Sequence, residues 1–144
     1  MQYDPNLSVG FIINDVARLL RRNFDRKAQN LGLTRAQWQV LAHLKRKDGL
    51  RQNELADLLE VQPITLGRLV DRLEADGWVE RRNDPEDRRA KRIFLTEKVA
   101  PVLSEIQAIS AAVREEAQTG LAAEDRERLL HILLHMRENL TCRS

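Results

Sequence analysis

Residues 55–98 read LADLLEVQPITLGRLVDRLEADGWVERRNDPEDRRAKRIFLTEK, and the hydrophobic period changes twice within them. The run NELADLLE predicts a helix of only about two turns, because Val61-Gln62-Pro63 interrupts it. Proline is welcome at a first helical position, so a second helix is expected from Pro63 to Asp76, with Leu66, Leu69, Val70 and Leu73 on one face and Gly77 as its stop. After Gly77 the runs WVERR and KRIFL are short and rich in β-forming residues, and Asn83-Asp84-Pro85 joins them as a turn. Two helices with a tight turn, then a hairpin with an arginine tip, make a winged helix-turn-helix: helix pair over 52–76, wing over 78–95.

That layout suits duplex DNA for geometric reasons. The second helix of such a pair fits the major groove while the first braces it, and Ala56 is small where the two must approach. With Leu66 inward at 100° per residue, Ile64, Arg68, Asp71, Arg72 and Ala75 point outward and Thr65 lies on the flank. Guanidinium groups suit guanine edges or phosphate, threonine suits either, and Ile64 suits a thymine methyl. Gln62 and Pro63 stand at the helix start, where backbone amides can hold a phosphate. At the hairpin tip, Arg88 and Arg89 are placed for the minor groove, whose negative potential attracts arginine. Asp84 and Asp87 are expected to fold back on neighbouring arginines, and Lys91 and Arg92 to reach flanking phosphate. Taken alone, the tip also reads as a solvated, charge-balanced turn.

Outward from this lobe the chain is helical. Val9, Ile12, Ile13, Val16, Leu19, Leu20 and Phe24 predict an amphipathic helix from about Ser8 to Gln29. Thr34 and Gln37 stand at capping-box spacing and open a helix to about Lys47. Thr96 is expected to cap a fifth helix striped by Val99, Val102, Leu103, Ile106, Ile109 and Val113. A sixth, from Ala123 to Leu140, carries Leu129, Ile132, Leu133, Met136 and Leu140. The expected fold is mainly α with a minor β component: one domain over 1–144, a DNA-binding lobe over 34–96, and helical dimerisation regions over 8–30 and 97–141. Long one-sided stripes at both chain ends call for a partner surface, and a homodimer supplies one; packing only on their own core, as in an ordinary bundle, is the alternative.

Composition narrows the function classes. The 144 residues carry a net charge of only +2, yet from Arg18 to Arg51 ten basic residues face two acidic ones. From Arg81 to Arg92 the ratio is six to three, and from Glu97 onward six to eight. No apolar run reaches the roughly 20 residues that span a bilayer, and the start MQYDPNLSVG has no signal-peptide character, so a cytoplasmic, nucleoid-associated protein is expected, with no membrane partner. The single Cys142 excludes an internal disulfide and any Cys-pair zinc site. No phosphate-binding glycine loop or nucleophile with a base is present, so an enzyme, a catalytic residue and a cofactor are not expected. His131 and His135 stand four apart without a third ligand nearby, so no metal site is expected either. A winged helix serving protein assembly or RNA is the remaining alternative; it predicts no sequence preference.

The stretch 55–98 resembles the DNA-binding core of the MarR family of bacterial regulators, whose hallmarks read RLVDRLE followed by Gly, and DPxDRR followed by LT. The segment DRRAKRIFLTEKVAPVLSEI is similar to the SlyA branch. The resemblance implies a dimer whose first, fifth and sixth helices interlock and whose recognition helices bind a palindromic operator. By the same resemblance Gln62, Pro63, Thr65, Arg68 and Arg72 would read the major groove, and Arg88 or Arg89 the minor groove. A small aromatic acid would bind between the dimer helices and the winged lobe, with Arg21 as carboxylate partner and Trp38 as aromatic wall. Trp38 also reads as a core residue and Arg21 as a solvated charge. Where the SlyA branch can carry a pocket histidine this chain has Ala42, with His43 beside it. Two further departures stand out: Glu60 occupies the turn where relatives have glycine, and Arg51 the helix start where they have Thr or Ser. Arg51 would add a phosphate contact, and Asn53 would serve as the substitute cap.

Overall fold

The structure, a computed structural model, describes residue 4 and residues 7–141, so the expectation for Cys142 lies outside the described residues. Six helices and three short strands follow in the order α1 (Val9–Lys27), α2 (Arg35–Arg46), β1 (Leu50–Arg51), α3 (Gln52–Leu59), α4 (Pro63–Ala75), β2 (Val79–Asn83), β3 (Lys91–Leu95), α5 (Ala100–Ala117) and α6 (Ala123–Thr141).

Local chemistry explains most of the boundaries. Ser8 caps α1 by accepting from the Phe11 N–H. At α2 the capping box is complete: Thr34 Oγ1 accepts from Gln37 N–H at 3.2 Å and Gln37 Oε1 accepts from Thr34 N–H at 3.0 Å. At α3 only one half of a box exists, because Glu54 accepts from the Arg51 N–H at 3.0 Å whereas a guanidinium can only donate. The substitute cap expected of Asn53 is therefore not what starts this helix; Arg51 is its N-cap. Pro63 takes the first position of α4 and Gly77, at φ 82°, ends it.

One contiguous core lies under the winged lobe. Val40, Leu41 and Leu44 of α2, Leu55 and Ala56 of α3, and Leu66, Val70 and Leu73 of α4 close over Val79 and Ile93 of the sheet. Each large side chain so enclosed contributes about 1.5–3 kcal/mol. The strand order is β1-β3-β2, all antiparallel, with Val79 opposite Leu95 and Asn83 opposite Lys91 across the hairpin, and Leu50 opposite Ile93 at the edge.

Two expectations need correction. The edge strand β1 has no counterpart in the sequence reading, since two residues are too few to show a period. Thr96 is the N-cap of a single 3-10 turn over Glu97–Val99 and not of α5, which starts at Ala100, and its hydroxyl makes no capping bond but donates back to the Gly77 and Trp78 carbonyls. The hydroxyl thus ties the end of β3 to the turn after α4.

The terminal helices are placed differently. α1 buries Phe24, α5 buries Ile106 and Val113, and α6 buries nothing. Leu129, Leu130, Ile132, Leu133 and Leu134 of α6 remain exposed, as do Phe11, Ile12, Ile13, Val16 and Leu19 of α1. The α5–α6 corner is held by Arg126, which donates to Glu115 at 2.7 Å and to the Gln118 and Leu121 carbonyls. That guanidinium holds the Glu115 carboxyl below the ordinary range.

Candidate nucleic-acid interface

The outer face of α4 is arranged as its 100° steps require. Leu66, Val70 and Leu73 are buried, while Ile64, Thr65, Arg68, Asp71 and Arg72 are exposed. Gln62 is the N-cap, exposed, and makes no capping hydrogen bond with its side chain. Arg68 and Arg72 engage no other side chain or carbonyl among the described residues, and neither do Arg88 and Arg89 at the wing tip, so four guanidinium groups stand ready for an outside acceptor. The Lys91 ammonium donates to Asn83 Oδ1 across the hairpin.

Helix and wing converge on one cleft. A cavity of about 220 Å³ is lined by Pro63 at the start of α4, Gln52 and Asn53 at the start of α3, and Arg89 and Lys91 of the wing. A second cavity of about 320 Å³ shares Asn53 and continues past Arg51, Arg92 and Lys47. Five cations therefore line adjoining clefts beside the exposed start of α4.

Two networks hold the wing at this angle, one enclosed and one largely open to solvent. In the first, Asp84 has a fully enclosed side chain whose Oδ2 accepts from Arg51 Nε at 2.7 Å and Arg92 Nε at 3.0 Å, while Oδ1 accepts from the Glu86 N–H at 2.8 Å. Arg92 donates again to the Gly49 carbonyl. The backbone N–H of Glu86, followed by Arg51, holds the Asp84 carboxyl below the ordinary range against the opposing effect of burial. Expectation and structure part here in three places. Asp87 accepts from the Arg89 backbone N–H, not from an arginine side chain. Arg92 is half-buried and committed to Asp84, and Arg51 turns its Nε to the same carboxylate, so neither extends freely toward flanking phosphate.

The second network centres on Arg81, which sequence reasoning missed. From β2 its Nε donates to Gln52 of α3, and its two terminal nitrogens reach Glu74 at 3.1 Å, the Gly67 carbonyl at 3.0 Å and Asp71 at 2.7 Å, all on α4. Its backbone N–H donates to Glu74 as well. A signal existed: Asp71 and Glu74 stand three apart on one helix face, within reach of a single cation on the strand that follows. By pairing with both, Arg81 removes negative charge that would repel a phosphate chain. Arg82, next along, lies over the Phe94 ring at 4.3 Å and pairs with Glu80.

The Glu60 question is settled by its backbone. Its φ of 55° and ψ of 44° are left-handed, the only such non-glycine among the described residues, so the tight turn between α3 and α4 keeps the shape that glycine would give at lower cost.

Comparison with known proteins agrees with this geometry. A family model described as MarR family matches residues 31–90. The transcriptional regulator PA3341, solved by crystallography, is 39% identical over 94% of this chain and 100% of its own, with a TM-score of 0.82. The chain belongs to the MarR family. A MarR regulator from Methanosarcina mazei Go1 is 29% identical over 91% of this chain and 94% of its own, TM-score 0.80. The regulator SlyA is 30% identical over 89% and 90%, TM-score 0.72. As a MarR-family chain it is a winged-helix transcriptional regulator of the DNA-binding kind.

Arg21 and Trp38, the residues expected to hold an effector, lie near the α1–α2 corner. Trp38 of α2 is 9% exposed, its ring 3.9 Å from that of Phe24 and its Nε1 donating to Asp25 at 2.9 Å. Arg35 pairs with the same Asp25. Arg21, half-buried, stands one turn earlier on α1 than Phe24 and Asp25. His43, also half-buried, is held below its ordinary range first by burial and then by Arg46. No group of three metal-ligating side chains occurs among the described residues, and no helix among them is long and apolar enough to cross a membrane.

Proposed function

We propose that this chain is a homodimeric, sequence-specific regulator that grips an inverted-repeat operator in duplex DNA, and that it is not an enzyme. Gln62, Pro63, Thr65, Arg68 and Arg72 enter the major groove, Arg88 and Arg89 the adjoining minor groove, and Lys91 the phosphate chain between them. The single observation that carries this reading is the cleft shared by Pro63, Gln52 and Asn53 with Arg89 and Lys91. A strand passing from major to minor groove must run between helix and wing, and that cleft is lined by cations and amide donors. The exposed apolar stripes of α1 and α6 support the dimer, and a protein working on chromosomal DNA is cytoplasmic and nucleoid-associated. In this reading repression or displacement of a silencing protein is the outcome of operator occupancy.

Selection of bound duplexes from a random pool tests it. Two half-sites about 34 Å apart, in an operator of about 16–20 base pairs, are expected. Affinity should fall with salt at a log–log slope near −0.9 per neutralised phosphate, and Arg68→Ala should cost about 1–3 kcal/mol at one position. Equal affinity for all duplexes at physiological salt would remove the proposal.

A small aromatic carboxylate acts as effector in the same scheme. Arg21 supplies the cation, and the Trp38 ring, tilted 34° against Phe24 where α1 meets α2, supplies the wall. Calorimetry with salicylate reads this directly; no heat on titration would dismiss the effector and leave the operator reading standing.

A further inference from the structure

We infer that Ile64 reads a thymine methyl, and that the half-site holds this thymine about two base-pair steps from the guanine contacted by Arg68. This inference rests on the operator reading above and assigns the residue that reading leaves unused.

Ile64 is 68% exposed, more than any other large apolar side chain of the winged lobe. It sits at the second position of α4, directly after Pro63, on the face opposite the buried Leu66. Nothing in the fold asks for an isoleucine there: the local packing is done by Leu66, Val70 and Leu73. The apolar stripes of α1 and α6, which account for most exposed aliphatic surface, belong to other elements.

The neighbours of Ile64 define what it can meet. Arg68 follows one turn later on the same face and is free of internal partners, whereas the Asp71 carboxylate is held at 2.7 Å by Arg81. The leading half of the outer face is thus an apolar group beside a free guanidinium, with no free acid to accept from cytosine. In the major groove the only apolar feature of a base edge is the C5-methyl of thymine, and the bidentate partner of arginine is guanine. Four residues of helix span about 6 Å, and bases rise about 3.4 Å per step, which places the two contacts about two steps apart when the helix lies along the groove.

The test uses the intact protein and a selected operator duplex in which each thymine is replaced singly by deoxyuridine, which removes only the methyl. Burial of one methyl group predicts a loss of about fourfold at one thymine per half-site, and on the order of fifteenfold when both half-sites are changed. In Ile64→Ala the loss at that thymine should vanish, while 7-deazaguanine two steps away still weakens binding through Arg68. A duplex in which no thymine is sensitive, or one whose sensitivity persists unchanged in Ile64→Ala, overturns the inference while the selected operator upholds the DNA reading. Failure to select any operator removes both. Because Ile64 is exposed, its alanine variant should melt with the parent, which separates lost contact from lost folding.

Discussion

At the scale of single residues, Asp84 illustrates how a short charged turn acquires a fixed shape. Its carboxylate serves two guanidinium groups and a backbone N–H while closed to solvent, and those donors favour the ionised form. A carboxyl whose pKa is lower folded than unfolded stabilises the fold above the unfolded value, about 3.9, and ceases to do so as the pH falls through the folded value. The wing should therefore loosen at a pH below about 4, read as amide exchange over 84–92, and Asp84→Asn should show that looseness already at neutral pH with no further change on acidification. Protection in Asp84→Asn equal to the parent at neutral pH would refute the role. The turn itself was legible, since Asp-Pro announces it; which of Asp84 and Asp87 would face inward was not, because both lie within reach of several arginines. Glu60 offers a second prediction at this scale. Replacing it by glycine relieves a left-handed non-glycine backbone and should raise stability by about 0.5–1 kcal/mol, or roughly 2 °C in Tm. A lower melting temperature for Glu60→Gly would mean that its side chain contributes more than its backbone costs.

At the scale of elements, periodicity carries far and fails at joints. The three central helices and the hairpin could be placed from the Thr34–Gln37 box, Pro63, Gly77 and the stripe of α4 because each feature acts within one element. β1 and the hydroxyl of Thr96 could not, because both are defined by strands distant in the chain: Leu50 pairs with Ile93, and Thr96 reaches back to Gly77. Arg81 belongs to the same class. Its partners lie on α3 and α4, and it fixes the angle between α4 and the wing, which in the proposed complex enter adjoining grooves. Arg81→Lys keeps one charge but cannot reproduce four directed contacts. It should leave the half-site core protected in a hydroxyl-radical footprint while the flanking minor-groove protection fades, a pattern that general unfolding would not produce. Loss of core and flank together would make Arg81 a stability residue only.

At the scale of the whole molecule, the contrast between the arginine-rich lobe and the C-terminal helices was readable from where arginine gives way to acid near Glu97. The depth of burial was not. The stripe of α6 has the spacing of a core helix, yet within the single chain it covers nothing, and its side chains lie open to water. The proposed dimer closes that surface. Leu133→Glu, on the exposed stripe, should shift sedimentation toward the single chain and weaken operator binding by at least tenfold, leaving the winged lobe folded. A variant that sediments and binds as the parent does would place the subunit contact elsewhere.

The bare α6 has a consequence for how the protein comes to exist. Most helical stability comes from packing of an apolar face, and this helix of 19 residues, tied to the chain at its first turn by Arg126, buries none of its own. In the proposed dimer only a second copy covers that surface, so dilution would erode not just pairing but the integrity of each participant, and the concentration of the regulator would set its own survival against proteolysis.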